Sequence, residues 1–319
     1  MFLHPTLRLV PDNTKIRFMR GRFLGILVSA VLSTASIVLF FYPGLNLGID
    51  FKGGIVIQAR TPKPVDFASL RAAFGAAGLG QAGLQRVGAA NEVMISLESQ
   101  ATDKATDAAV QRIGTALEKA APGSKILGTS AVGPTVSAEL LRKGLLALGL
   151  SLLMILVYIW FRFEWEFAVG AVATLVLDMT KTIGFLVITR LPFDLVMVAA
   201  ILTILGYSTN DKVVVYDRMR ENLRKYKSMP LRELIDLSIN ETLSRTVGTS
   251  STVFLAALPL ALFGGATLSA FAWTMLFGII VGTSSSIFIA APILLFLGEQ
   301  RLRQDARVAR PAKTEKRAT

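Results

Sequence analysis

The sequence has no cysteine, which excludes disulfide frames, thiolate zinc sites and iron–sulfur clusters. Its single histidine, His4, lies in the N-terminal tail, so no side chains remain for a histidine-based triad or a clustered-histidine metal site. A P-loop, a nucleophile elbow and a kinase signature are missing as well. Nucleotide hydrolysis therefore has no candidate residues, and neither cofactor nor metal is expected. Charge is scarce: Asp, Glu, Lys and Arg make up 18% of 319 residues against 52% hydrophobic ones, and the mean hydropathy is +0.55. This is the composition of a membrane protein.

A bilayer core is crossed by about 20 apolar residues. Four charge-free runs meet that length: Phe23 to Tyr42, Gly144 to Phe161, Thr246 to Phe263, and Leu268 to Leu297 with Pro292 near its end. Two more, Phe167 to Thr189 and Leu195 to Tyr216, have the length but hold Asp178, Lys181, Asp211 and Lys212. Six spans result. The first ends in Phe41-Tyr42-Pro43 without a small-residue cleavage site, and reads as a retained anchor rather than a signal peptide.

The net charge of +12 would suggest nucleic acid in a soluble chain, but the positions of the basic residues explain it otherwise. With six spans, both termini share one side, and that side collects twenty Lys and Arg near the span ends; the opposite short connections have only Arg190. By the positive-inside rule the basic side, with the N-tail (1–22) and C-tail (298–319), is cytoplasmic. No stacking aromatics interleave the basic residues, so no nucleic-acid partner is expected.

Residues 43–143 are too polar to span and are read as a periplasmic α+β domain between the first and second spans, ahead of a five-helix region over 144–297. The β-branched run Ile55-Val56-Ile57 is a strand, Asp66 caps a helix through Leu70 and Phe74, and Leu84–Val87 and Glu92–Leu97 are strands. Thr106–Ala121 is a second helix ending before Gly123, and a last strand lies around Ile126. The order β-α-β-β-α-β predicts a ferredoxin-like sandwich. Gly78-Leu79-Gly80-Gln81-Ala82-Gly83 matches G-x-G-x-x-G, but it follows a helix and precedes a strand, the wrong order for cradling a pyrophosphate at a helix N-terminus. Pro230 with Leu231, Leu234, Ile235 and Ile239 predicts a helix near 231–244 lying in the cytoplasmic interface. Gly278-x-x-x-Gly282 predicts close helix packing within the subunit.

A charge at the centre of a spanning helix costs about 2.5–3.5 kcal/mol on insertion scales, so intramembrane ions need a reason. Asp178 and Lys181 share a helix face; Asp211 falls with Tyr207 and Ser208, while Lys212 points about 100° away. Arg245 opens the fifth span below Thr249 and Thr252. Two readings stand: static ion pairs that lock helices, or a carboxylate that exchanges protons as helices rearrange.

Several stretches together resemble the SecD/SecF family of bacterial protein-export membrane proteins, within the resistance-nodulation-division superfamily, and most closely its SecF members. They are Gly48-Ile49-Asp50-Phe51-Lys52-Gly53-Gly54, Val132-Gly133-Pro134-Thr135-Val136, Gly206-Tyr207-Ser208-Thr209-Asn210-Asp211, Ser244-Arg245-Thr246 and Gly282-Thr283-Ser284-Ser285-Ser286. The resemblance implies a bacterial inner-membrane subunit, not an enzyme, that pairs with SecD as the other six-span half. It implies use of the proton-motive force, or sodium in some bacteria, to help unfolded polypeptides leave the SecYEG translocon. Asp211 would be the carboxylate of proton passage, Arg245 a nearby functional cation, and Asp178, Lys181 and Lys212 their companions. Family members commonly have His-Asp where this chain has Leu177-Asp178, and a small hydroxyl residue where it has Lys212. These departures suggest a compensated network in which Lys212 reaches Asp178 and leaves Asp211 free. Half of a small-molecule efflux transporter and a static membrane assembly factor are the alternative functions.

Overall fold

A computed structural model describes residues 11, 14–87, 89–98 and 103–297. The basic tail over 298–319, and His4 and Arg8 in the N-tail, lie outside the described residues. Six helical stretches are long and apolar enough to cross a membrane. They are α1 (Arg22–Phe41), α5 (Pro134–Arg162), α6 (Trp165–Thr189), α7 (Leu195–Lys225), α8 (Leu231–Phe263), and a sixth built from α9 (Gly265–Ser285), a π-helical stretch (Ser286–Ala290) and α10 (Ala291–Leu297).

Between α1 and α5 stands the α+β domain. It holds a one-turn helix α2 (Ile49–Lys52), then β1 (Gly54–Arg60), α3 (Phe67–Ala76), β2 (Gly83–Arg86), β3 (Glu92–Leu97), α4 (Asp103–Ala120) and β4 (Lys125–Val132). The sheet order is β2-β3-β1-β4 with every pair antiparallel, the ferredoxin-like split arrangement. Alternation decides the faces: Ile55, Ile57, Ala59, Val93 and Ile95 point at Leu70 and Phe74 of α3 and Ile113 and Leu117 of α4, forming one dry core. Asp66 accepts a bond from the Ala68 N–H at 3.0 Å and starts α3. Gly78 and Gly123 end the two helices at φ +70° and +83°. The glycine-rich loop from Gly78 thus leads from α3 into β2, not into a helix N-terminus.

The chain enters this domain through α2 before the strand expected at Ile55-Val56-Ile57. One helical turn comes first, and Gly53 (φ +73°) and Gly54 (φ +130°) convert it into β1, in conformations that side chains rarely adopt. Helix α5 begins at Pro134, ten residues before the expected span, because Pro at the first helical position after Gly133 is a ready start signal. The segment expected as a separate interfacial helix near 231–244 runs unbroken into the fifth span as α8. Its Leu231, Leu234, Ile235 and Ile239 are buried with Met219 and Leu223 of α7, so protein rather than lipid covers that apolar face.

Small residues set the helix spacing in the bundle. A Cβ at Gly184 of α6 would strike Ser36 of α1, and one at Gly278 of α9 would strike Ile204 of α7, while Gly282 meets Ser208. The Gly278/Gly282 pair therefore serves packing inside this chain, as expected. Pro292 has no N–H to give the preceding turn, and the helix widens to π geometry just before it.

Candidate functional site

The close approach of α9 to α7 at Gly282 gathers three polar side chains, Ser208 and Lys212 of α7 and Ser285 of α9, around Asp178 of α6. Asp178 Oδ2 accepts from Lys212 Nζ at 2.9 Å, Ser208 Oγ at 2.9 Å and Ser285 Oγ at 2.7 Å. Lys181 Nζ lies 3.5 Å from Asp178 Oδ1, too far for a good bond, and that oxygen has no hydrogen-bond partner. Asp178 is 0%, Lys212 1% and Lys181 5% exposed. One carboxylate thus serves two ammonium groups, and Lys212 also donates to Ser285 at 3.2 Å. Lys212 lies one turn after Ser208 on the same face of α7, and its stem leans back toward the N-terminal turn so that its ammonium also reaches the Ser208 hydroxyl.

Asp211 is placed otherwise. It is 4% exposed, lies beside the hydroxyls of Thr246 and Ser286, and has no cation within ion-pair distance among the described residues. Its Oδ2 has no hydrogen-bond partner, nor does the Thr246 hydroxyl. Tyr207 joins a second chain, with its hydroxyl 2.6 Å from Ser250 Oγ and Ser250 2.8 Å from Thr283 Oγ1, linking α7, α8 and α9. Arg245 is not brought to either carboxylate. It lies on an outward stripe of α8 with Glu241, Thr249 and Thr252, and Gly206 and Asn210 form an exposed stripe on α7.

The Gly48–Gly54 motif also meets α7, at its N-terminus. Asp194 caps the helix by accepting from Met197 N–H at 3.0 Å, and Asp50 accepts from Leu195 N–H at 3.0 Å. Two carboxylates therefore sit on the positive end of the helix that bears Asp211 about 24 Å further along. Burial raises the Asp194 carboxyl above its ordinary range; the Met197 N–H opposes this and the Asp50 charge adds to it. Gly48 donates to Phe193 O at 2.8 Å, and the Phe51 ring packs on Phe193 at 5.4 Å, with Gly144 of α5 leaving room for it. Between the open sheet face and this end of the bundle is a cavity of about 420 Å³. Gly133 and Pro134 start α5.

Sequence reasoning assigned Ser285 to a motif but not to the charge cluster; the signal was a run of three serines in an otherwise apolar span. It also missed the capping role of Asp50, which is 145 residues from its partner.

Comparison with known proteins gives a consistent picture. A family model described as protein export membrane protein SecD/SecF, C-terminal, matches residues 112–300, and one described as the SecD/SecF GG motif matches 38–65. The chain is similar to proteins named protein translocase subunit SecF: 42% identical over 302 residues to that of Cereibacter sphaeroides, covering 92% of this chain and 93% of the relative. To that of Rickettsia bellii it is 41% identical, covering 94% and 99%. The crystal structure of SecDF, a translocon-associated membrane protein from Thermus thermophilus, superposes with a TM-score of 0.82 at 32% identity, over 91% of this chain and 39% of that one. A SecDF structure in a super-membrane-facing form gives 0.68 at the same identity, over 96% of this chain and 42% of that one. This chain therefore spans about two fifths of the SecDF polypeptide.

Proposed function

Because this chain belongs to the SecD/SecF family of protein-export membrane proteins, we propose that it is a SecF-type subunit that couples proton entry through Asp211 to protein translocation. SecD would supply the part of SecDF that this chain does not span. The membrane is the bacterial inner membrane; the end of the bundle carrying the N-terminal segment faces the cytoplasm and the α+β domain the periplasm, in line with the basic residues near the spans. The partners are the SecYEG channel and the unfolded chain leaving it, and no covalent chemistry is involved. Names of relatives covering more than nine tenths of this chain do not favour the efflux alternative.

The observation that carries the coupling role is the unpartnered Oδ2 of Asp211 beside an Asp178 whose charge Lys212 already holds. A buried carboxylate without a counter-ion is stable when protonated and costly when ionised, so its proton can be traded against a rearrangement of α7, α8 and α9. One charge crossing the membrane yields about 2.3 kcal/mol per 100 mV, enough to bias such a two-state element. The bonds from Asp50 and Gly48 to the N-terminal end of α7 give that rearrangement a path to the α+β domain. Two SecDF structures that fit this chain at equal identity but TM-scores of 0.82 and 0.68 are consistent with movable parts. Exposed Asn210 on α7 and Arg245 on α8 would be poorly received by lipid, which supports a covering SecD helix.

The test is Asp211→Asn in vesicles holding the paired complex. Gradient-stimulated export should vanish while assembly with SecD persists; stimulation at the native level would sink the coupling role.

A further inference from the structure

Proton passage at mid-bundle needs a route to the cytoplasmic end, and α6 carries a carboxylate there that no other role absorbs. Glu166, in the first turn of α6, is 0% exposed, and among the described residues neither of its carboxylate oxygens has a hydrogen-bond partner. It is no cap, because Glu164 occupies that position and is held by Arg220 at 2.7 Å. The charged groups nearby are Arg162 and Glu164 in the α5–α6 connection and Asp217 and Arg220 on α7. They pair with one another, Arg162 with Asp217 and Arg220 with Glu164, and none pairs with Glu166. α9, the π-helical stretch and α10 bring no titratable group, and α1 brings only Arg22 at its start, bonded to Met19 O.

From Glu166 a series of buried polar groups climbs α6, one turn or about 6 Å at a time. A Cβ on Gly170 would lie 2.6 Å from the Tyr216 hydroxyl, so that hydroxyl rests against α6 one turn above Glu166. Thr174, 0% exposed, comes one turn later and Asp178 one turn after that. At the top, consecutive Ser285 and Ser286 face Asp178 and Asp211 respectively. We propose that Glu166 is the proton carrier between this mid-bundle cluster and the cytoplasmic face, reached through the hydroxyls of Thr174 and Tyr216. The proposal rests on the coupling role of Asp211. Each hydroxyl accepts a proton on a lone pair and releases the one it held, so one proton leaves the aspartate cluster and one arrives on Glu166, which passes it to water. The Tyr216 proton now points to Ala290 O at 3.1 Å and that of Thr174 to Gly170 O at 2.9 Å, so transfer requires both hydroxyls to rotate, with one bridging water per gap.

The experiment measures gradient-driven proton uptake in vesicles holding the SecD-paired complex. Glu166→Gln should slow uptake about a hundredfold, the low side of what a positioned proton-transfer group contributes. Glu166→Asp should restore part of it with a changed pH profile, which a packing role would not produce. Native uptake in Glu166→Gln together with lost uptake in Asp211→Asn overturns this inference alone, whereas native uptake in both overturns the coupling reading as well. If Glu166→Gln does not assemble, Tyr216→Phe keeps the ring against Phe163 and Phe167 and removes only the hydroxyl. Severalfold slower uptake supports the route, and unchanged uptake overturns it.

Discussion

Asp178 and Asp211 sit on neighbouring helices, and both are withdrawn from the surface, yet their surroundings differ in kind. Asp178 has a lysine and two serines on one oxygen and a second lysine near the other. Asp211 has two hydroxyls near it and feels Lys212 only at longer range, and among the described residues it has no cation within ion-pair distance and one oxygen with no hydrogen-bond partner. Burial alone therefore does not distinguish the two carboxylates. On the proposed coupling reading, the carboxylate with close counter-charges belongs to the frame, and the one without an ion-pair partner is the group that proton movement would use.

The largest effect should follow from breaking the compensated site. Asp178→Asn leaves Lys181 and Lys212 buried without a counter-charge, and removal of one partner of a buried pair costs about 3–5 kcal/mol. Thermal unfolding of the purified complex should register it as a large loss of stability. Lys212→Met should cost less, since Lys181 remains beside Asp178. In the double variant Asp178→Asn with Lys212→Met, the loss should fall short of the sum of the single losses by about 1–3 kcal/mol, the coupling expected of groups in contact. Additive losses would mean that the two side chains do not act as a pair.

Much of this was legible before any coordinates. Charges inside apolar runs marked α6 and α7, and period-two alternation with two helical stripes marked the ferredoxin-like domain. The Lys212–Asp178 contact was suggested by the departures from the family pattern, the residues alone leaving Lys212 between the two carboxylates. What was illegible depends on tertiary geometry. The helical wheel grouped Ser208 with Asp211, but Lys212, four residues on, shares the face of Ser208 as well, and the approach of α6 and α9 decides that Ser208 serves Lys212 and Asp178. Arg245 sits on the same span as Thr246, yet the turn of α8 sends the one outward and the other inward. Glu166 was set just outside the third span, because a charged residue at the edge of an apolar run reads as its boundary.

The GG-motif region sharpens the comparison from outside the bundle. Asp50→Ala leaves the Leu195 N–H without its acceptor and should cost about 1 kcal/mol, the usual worth of a helix cap. Hydrogen exchange should quicken at the first amides of α7 and stay unchanged around Asp178. Asp194→Asn keeps a capping oxygen and removes a carboxylate that burial pushes up in the folded state. A raised carboxyl stabilises the fold in acid and loses that contribution as pH rises through its folded value. The variant should therefore gain on the native protein as pH rises above the ordinary aspartate range, and match it in acid.

The smallest change in stability should come from Asp211→Asn, the substitution expected to be most damaging to export. No ion pair is lost, and the oxygen that becomes an amide group has no partner to lose, so the shift should stay below about 1 kcal/mol, the worth of a single hydrogen bond. Unfolding curves of this variant and of Asp178→Asn, measured side by side, decide whether the two aspartates differ as described. If Asp211→Asn destabilised the complex as much as Asp178→Asn, Asp211 would also be a fixed counter-charge, and the proton would have to be carried elsewhere.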